Sequence, residues 1–175
     1  AACLVANTNL VTKVYFPRML LPIATVITPI VDFLIGCVVL VVLMAVYDEW
    51  PGGLQVLLAP AFVALTAVTA LGLVLGLSAI NVRYRDVPYA IPVFMQVMPL
   101  LSGVPYDVEE APEHWQWILA LNPMTGVISG WRWAVLDGAP PDLGKLLLGI
   151  LVALSLLVAG FWHFRSSEPR FADTI

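Results

Sequence analysis

The residues best suited to chemistry are a few carboxylates and imidazoles in the polar parts of the chain. Glu109, Glu110 and Glu113 lie within five positions, and paired carboxylates can act as general acid and base. They sit in a polar connection, where a hydrated charge run is the more ordinary interpretation. His114 and His163 are far apart and lack metal-site spacing. Since the sequence also lacks GxSxG, P-loop and dinucleotide-binding motifs, we predict no enzyme activity, no metal and no cofactor on this chain.

One further acid, Asp32, lies about a dozen residues into the first long apolar run. A carboxylate in hydrocarbon is costly, so it is expected to face protein or water and is a functional candidate. A contact between helices at mid-depth, or a protonated side chain, accounts for Asp32 equally well.

The composition determines the elements that must position these groups. The 175 residues are 61% hydrophobic and 11% charged, with a mean hydropathy of +0.93. A soluble domain carries about 25% charged residues. The sequence therefore predicts an all-α integral membrane protein. The first residue is not Met, and no signal-peptide pattern follows it, so we expect an upstream part to precede Ala1.

Four apolar segments, at about 20–46, 54–80, 87–104 and 143–164, are predicted to be transmembrane helices. The third is marginal because Pro88, Pro92 and Pro99 interrupt it, so a kinked span or a re-entrant hairpin is expected there. In the second span, Gly72 and Gly76 have the GxxxG spacing of close helix contacts. A dimer contact and a lipid-facing surface are equally consistent with that motif.

Charge distribution predicts the orientation of the spans. Six of the eight Lys and Arg residues fall in the first flank, the connection near residue 84 and the carboxy-terminal tail. By the positive-inside rule these segments, and both termini of the chain, are cytoplasmic. Basic residues this few and dispersed do not indicate nucleic-acid binding.

The segment at about 112–137 is too polar for a span and carries four tryptophans, which suit a membrane interface. It is predicted to form two short helices that break at Asn122-Pro123, because proline disfavours helix at the residue before it. We expect this pair to dip into the outer leaflet.

The stretch "NLVTKVYFPRMLLP", together with "INVRYRDVPYAIPVFMQ", "WILALNPMTGVISGWRWAVL" and "RFADTI", resembles the permeases of ABC-2 type exporters. The closest likeness is to those that export lipid-linked O-antigen, capsular or teichoic-type polysaccharides. The resemblance implies six transmembrane helices, of which this chain would hold the last four, together with a second permease copy in a homodimer. It also implies a separate ATP-binding subunit that carries ATP and magnesium.

The resemblance implies three groups of functional residues. A coupling helix that contacts the ATPase corresponds to Asn9, Leu10, Lys13, Val14, Tyr15, Phe16, Pro17 and Arg18. A second cytoplasmic contact corresponds to Arg83, Tyr84, Arg85 and Asp86. The gate and substrate path would include Asp32, Trp115, Trp117, Asn122, Pro123, Trp131, Arg132 and Trp133, with aromatic faces for sugars and Arg132 for pyrophosphate or anionic headgroups.

The resulting expectation is the permease subunit of an ATP-driven polysaccharide exporter in the bacterial inner membrane, in contact with membrane lipids and a lipid-linked glycan. Two alternatives remain open from the sequence. One is a permease of the same architecture for a drug, haem or lipid, and the other is a membrane scaffold that transports nothing.

Overall fold

The computed structural model describes residues 20–84 and 86–167, and every regular element in this part is helical. The α-helices are α1 (Leu20–Tyr47), α2 (Ala59–Arg83), α3 (Val87–Leu101), α4 (Glu113–Ala120), α5 (Pro123–Leu136) and α6 (Leu143–Ser167). Short 3-10 helices at Leu54–Leu58 and Val108–Glu110 precede α2 and α4. The all-α prediction is confirmed for the described residues.

Three of the helical segments are long and apolar enough to cross a membrane: Ile23–Tyr47, Leu54–Asn81 and Leu143–Ser167. They correspond to the first, second and fourth predicted spans. The last helix continues to Ser167, three residues beyond the predicted end. The chain is therefore a membrane protein, and its described residues hold three candidate transmembrane helices.

The third predicted span differs in length. Helix α3 has 15 residues and ends at Leu101, three residues before the predicted end at Val104. At 1.5 Å per residue it covers about 22 Å, less than the roughly 30 Å of a hydrocarbon core. The helix ends where Ser102 caps it and Gly103 turns the chain with a φ of +72°. Pro92 and Pro99 nevertheless lie inside a continuous helix.

Small residues allow α2 and α6 to approach closely. A Cβ on Gly72 would lie 2.7 Å from the backbone of Leu156 and Leu157, and one on Gly76 would lie 3.8 Å from Gly160 Cα. The GxxxG face of α2 thus packs against α6 of the same chain. The motif was predicted to allow close approach of another helix, with a dimer contact or a lipid-facing surface left open, and the structure shows that the approaching helix is α6 of the same chain.

The apolar core lies around α5, which packs between α2 and α6 and against the end of α1. Its buried members are Met44, Ala59, Phe62, Val127, Ala134 and Val135. By contrast, most large apolar side chains of α1 and α3 are exposed in the described chain. The helical segment that was predicted to be neither a span nor a simple linker therefore supplies three of these six buried residues, Val127, Ala134 and Val135.

Candidate functional site: a helical hairpin

Helices α4 and α5 form a hairpin, and the turn between them follows the predicted break. α4 ends at Ala120, and α5 begins at Pro123 with proline in its first turn. Asn122 caps α5, because its Oδ1 accepts a hydrogen bond from the Met124 backbone N–H at 3.1 Å. The prediction of two helices with a break at Asn122-Pro123 is confirmed.

The hairpin enters the bundle beside the first two turns of α6. Gln116 of α4 accepts a hydrogen bond from Lys145, near the start of α6. The turn lies deeper, since a Cβ on Gly149 would lie 3.5 Å from Pro123 Cα. Gly149 follows Leu143 by six positions, which corresponds to about 9 Å along the helix axis. The turn at Asn122 is therefore the tip of the hairpin, and it lies within the helix bundle beside α6.

A polar contact joins this tip to the end of α3. The Asn122 Nδ2 donates to Ser102 Oγ at 2.8 Å, and that hydroxyl donates to the Met98 carbonyl at 2.7 Å. Thr125 also donates to the Leu119 carbonyl at 2.9 Å across the turn. Ser102 and Thr125 are 6% and 5% exposed, so each would be costly to bury without these partners.

Arg132 supports the irregular chain that follows α3. Its guanidinium donates from Nη2 to the Val104 carbonyl at 2.8 Å and from Nη1 to the Tyr106 carbonyl at 3.2 Å. Backbone carbonyls outside a helix lack the intrahelical donor and need another hydrogen-bond partner. Arg132 supplies that partner, and the remaining guanidinium N–H groups are those that an anion could use.

The far end of α5 is fastened to the segment before α2. Asp137 has a φ of +50°, which ends the helix, and its carboxylate accepts from Gly52 N at 2.9 Å and Gln55 Nε2 at 2.6 Å. Gln55 also donates to the Trp133 carbonyl at 3.2 Å. Sequence reasoning missed both Asp137 and Ser102. The Asp-Gly pair after α5 was an available signal for a left-handed helix end, whereas the role of Ser102 depends on a contact distant in sequence.

Asp142 and Lys145 fix the start of α6 beside α4. Asp142 Oδ1 accepts from the Gly144 and Lys145 backbone N–H groups at 2.7 and 3.3 Å. The backbone N–H of Lys145, followed by that of Gly144, lowers the pKa of Asp142. Lys145 Nζ lies 5.9 Å from the Trp117 ring centre and 3.6 Å from Asp142 Oδ2. These contacts orient α4 at the mouth of the hairpin.

The four predicted gate tryptophans divide into two pairs. Trp115 and Trp117 are exposed on α4, whereas Trp131 and Trp133 are half-buried on α5. The Trp131 ring packs edge-on against Phe33 of α1, with centroids 5.2 Å apart. Asp32 itself is exposed on α1, so the hairpin does not enclose it.

An open cavity of about 650 Å³ is lined by the end of α1, the chain that follows it and the end of α5. Its lining includes the aromatic side chains of Tyr47 and Trp50 and the acids Asp48, Glu49 and Asp137. The arrangement offers both flat apolar faces and hydrogen-bond acceptors, and its size is in the range of small-molecule sites.

The two predicted contacts with an ATPase are only partly described. Tyr84 and Asp86 are exposed between α2 and α3, and the Asp86 carbonyl accepts from Tyr89 and Ala90 N–H groups. Arg85, the side chain of Arg83 and the whole coupling segment, residues 9–18, lie outside the described residues. Their roles stay predictions.

Comparison with known proteins gives a consistent set of similarities. The model of the ABC-2 type transporter family matches residues 3–136. A protein of Myxococcus xanthus named O-antigen export system permease protein RfbA is 29% identical over 169 residues, which cover 95% of this chain and 65% of the relative. Two Klebsiella pneumoniae proteins with the same name are 26% and 24% identical over 173 residues, covering 98% of this chain and 66% of each relative. The chain thus spans about 65% of the length of these curated relatives.

Proposed function

Because this chain belongs to the ABC-2 type transporter family, we propose that it is part of the permease subunit of an ATP-driven exporter of lipid-linked polysaccharide. The observation that carries the substrate class is the similarity, over 95% or more of the chain, to permeases named for O-antigen export. The exporter would lie in a bacterial inner membrane, in contact with its lipids. The glycan would be of O-antigen, capsular or teichoic type.

The proposed topology has four crossings and places both termini of the chain in the cytoplasm. Helix α3 covers about 22 Å and the hairpin tip descends about 9 Å from the opposite end, so together they match a hydrocarbon core of roughly 30 Å. After α3 the chain continues beside α5, where Arg132 donates hydrogen bonds to the carbonyls of Val104 and Tyr106. The third crossing would be completed by this protein-covered segment instead of by helix alone.

The proposed energy source is a separate ATP-binding subunit that binds ATP and magnesium. Residues 9–18 would form the coupling helix on that subunit, and residues 83–86 would form a second contact. Two permease copies would enclose the path. ATP-driven closure of the ATPases would then shift the helices as bodies and displace the hairpin.

The proposed substrate path passes the hairpin at its outer end. Exposed Trp115 and Trp117 offer flat faces, and the cavity beside Trp50 adds carboxylates that can accept hydrogen bonds from sugar hydroxyls. Asp32, on the exposed face of α1, is a candidate for the part of the path deeper in the membrane.

Deletion of the full-length gene tests this function. Lipid-linked glycan should accumulate inside the cells and surface glycan should fall, and the full-length gene should restore both. Normal surface glycan without accumulation would refute the substrate assignment. A complete protein that never retains an ATPase during purification, and whose presence leaves ATP hydrolysis unchanged, would refute the transport function altogether.

A further inference from the structure

Helix α3 is attached to the rest of the described chain mainly at its two ends. None of its residues is buried. Its start follows the exposed turn at Tyr84 and Asp86, directly after α2. Its other end is buried at Ser102, which binds the hairpin tip. A displacement of α3 would therefore meet little side-chain packing along the helix and would reach the tip of the hairpin.

We propose that α3 and the Ser102–Asn122 hydrogen bond form a mechanical link that transmits movement of the segment at residues 83–86 to the hairpin. This inference rests on the proposed function, because that segment is the proposed second contact with the ATPase. Ser102 and Asn122 act as positioning residues, and neither needs to touch the transported molecule.

The contacts around Asn122 explain why the link is specific. Asn122 binds Met124 N through Oδ1 and Ser102 through Nδ2, so one amide both starts α5 and holds the end of α3. Further along, Arg132 of α5 holds the carbonyls of Val104 and Tyr106. The end of α3 and the hairpin are thus expected to move together.

Two substitutions remove the Ser102–Asn122 hydrogen bond while keeping the helices that it joins. Asn122→Ser keeps a side chain that caps helices well and removes the amide donor to Ser102. Ser102→Ala removes the acceptor while keeping the helical backbone. Ser155→Ala is the matched control, because Ser155 Oγ also donates to a carbonyl of its own helix, that of Val152, and is exposed on α6.

The experiment uses the full-length protein with its ATPase partner in nanodiscs. A cysteine replaces Ile118, an exposed residue of α4, in a background without the native cysteines, and its labelling rate with a water-soluble maleimide is measured with and without ATP. We expect ATP to change the rate in the reference protein and in Ser155→Ala. In Asn122→Ser and Ser102→Ala the ATP-dependent change should shrink by about two- to thirty-fold, and the double variant should be no worse than either single one.

The link is overturned if both variants keep the full ATP-dependent change, or if ATP does not alter labelling at position 118 in the reference protein. Glycan export, measured in cells with the same variants, separates this result from the substrate assignment. If ATP-dependent labelling behaves as expected but the reference protein exports no glycan, the link stands and the proposed substrate falls.

Discussion

The close contact between α2 and α6 at Gly72 leads to a specific prediction: Gly72→Ala should push the two helices apart. The added Cβ would lie 2.7 Å from Leu156 C and Leu157 N, whereas ordinary contacts begin at 3.4 Å, so the helices must separate by about 0.7 Å at this point. Both obstructing atoms belong to backbone and cannot rotate away. Overpacking of this kind costs about 1 to 3 kcal/mol.

Gly36→Ala is the matched control, because a Cβ at Gly36 meets nothing within 4 Å in the described chain. Both substitutions lie inside helices and share the propensity gain of about 1 kcal/mol, so their difference isolates the steric cost. A difference of about 2 kcal/mol corresponds to roughly 4 to 8 °C in the unfolding midpoint of a protein of this size. The assay is thermal unfolding of the purified full-length protein in detergent. Equal midpoints for the two variants would refute the close approach of α2 and α6.

Two further predictions concern the ends of the hairpin and of α6. Asp137→Gly keeps the left-handed backbone but loses the hydrogen bonds from Gly52 and Gln55 to the carboxylate. Because this carboxylate is exposed, the loss should lower the free energy of unfolding by about 1 kcal/mol. Asp137→Asn should lower it by less, and the thermal unfolding midpoints of the two variants check this. An Asn variant as unstable as the Gly variant would contradict the role given to the oxygens. The Lys145 and Gly144 N–H groups lower the pKa of Asp142 below its ordinary 3.8, so its stabilisation is present above that pH and is lost as the pH falls through the lowered pKa. In the native protein, hydrogen-exchange protection of the Gly144 and Lys145 amides should fall in that acidic range. In Asp142→Asn the protection of the same amides should not depend on pH there. Unchanged protection in the native protein would contradict the capping role of Asp142.

Local signals in the sequence predicted much of the fold. Long apolar runs predicted α1, α2 and α6, and the Asn122-Pro123 pair predicted the hairpin turn. The long helices and the turn could be predicted because each depends on its own residues and their immediate neighbours in sequence. The length of α3 was overestimated, since apolar residues continue to Val104 while the turn at Gly103 ends the helix earlier. The spacing of Gly72 and Gly76 predicted a face for close helix contact, but not that α6 is the partner. The contact of Ser102 with Asn122 was not predicted either, since both contacts join distant parts of the chain.

The candidate site was predicted in outline. The residue types of the hairpin were recognised, but Arg132 was assigned to anions, whereas two of its donors hold the carbonyls of Val104 and Tyr106. From sequence, Arg132 could bind either an anionic ligand or backbone carbonyls. Only the path of the chain after α3 shows that backbone carbonyls are within its reach. The predicted contacts with an ATPase at residues 9–18 stay predictions.

The packing of α2 against α6 has a consequence for biosynthesis. Since α6 is the last of the described helices to leave the ribosome, α2 enters the bilayer before its glycine face has a neighbour. The turn of the hairpin must likewise wait for α6, because Pro123 packs against Gly149 of that helix. Chains truncated before α6 should therefore leave both surfaces open to membrane proteases that degrade unassembled segments.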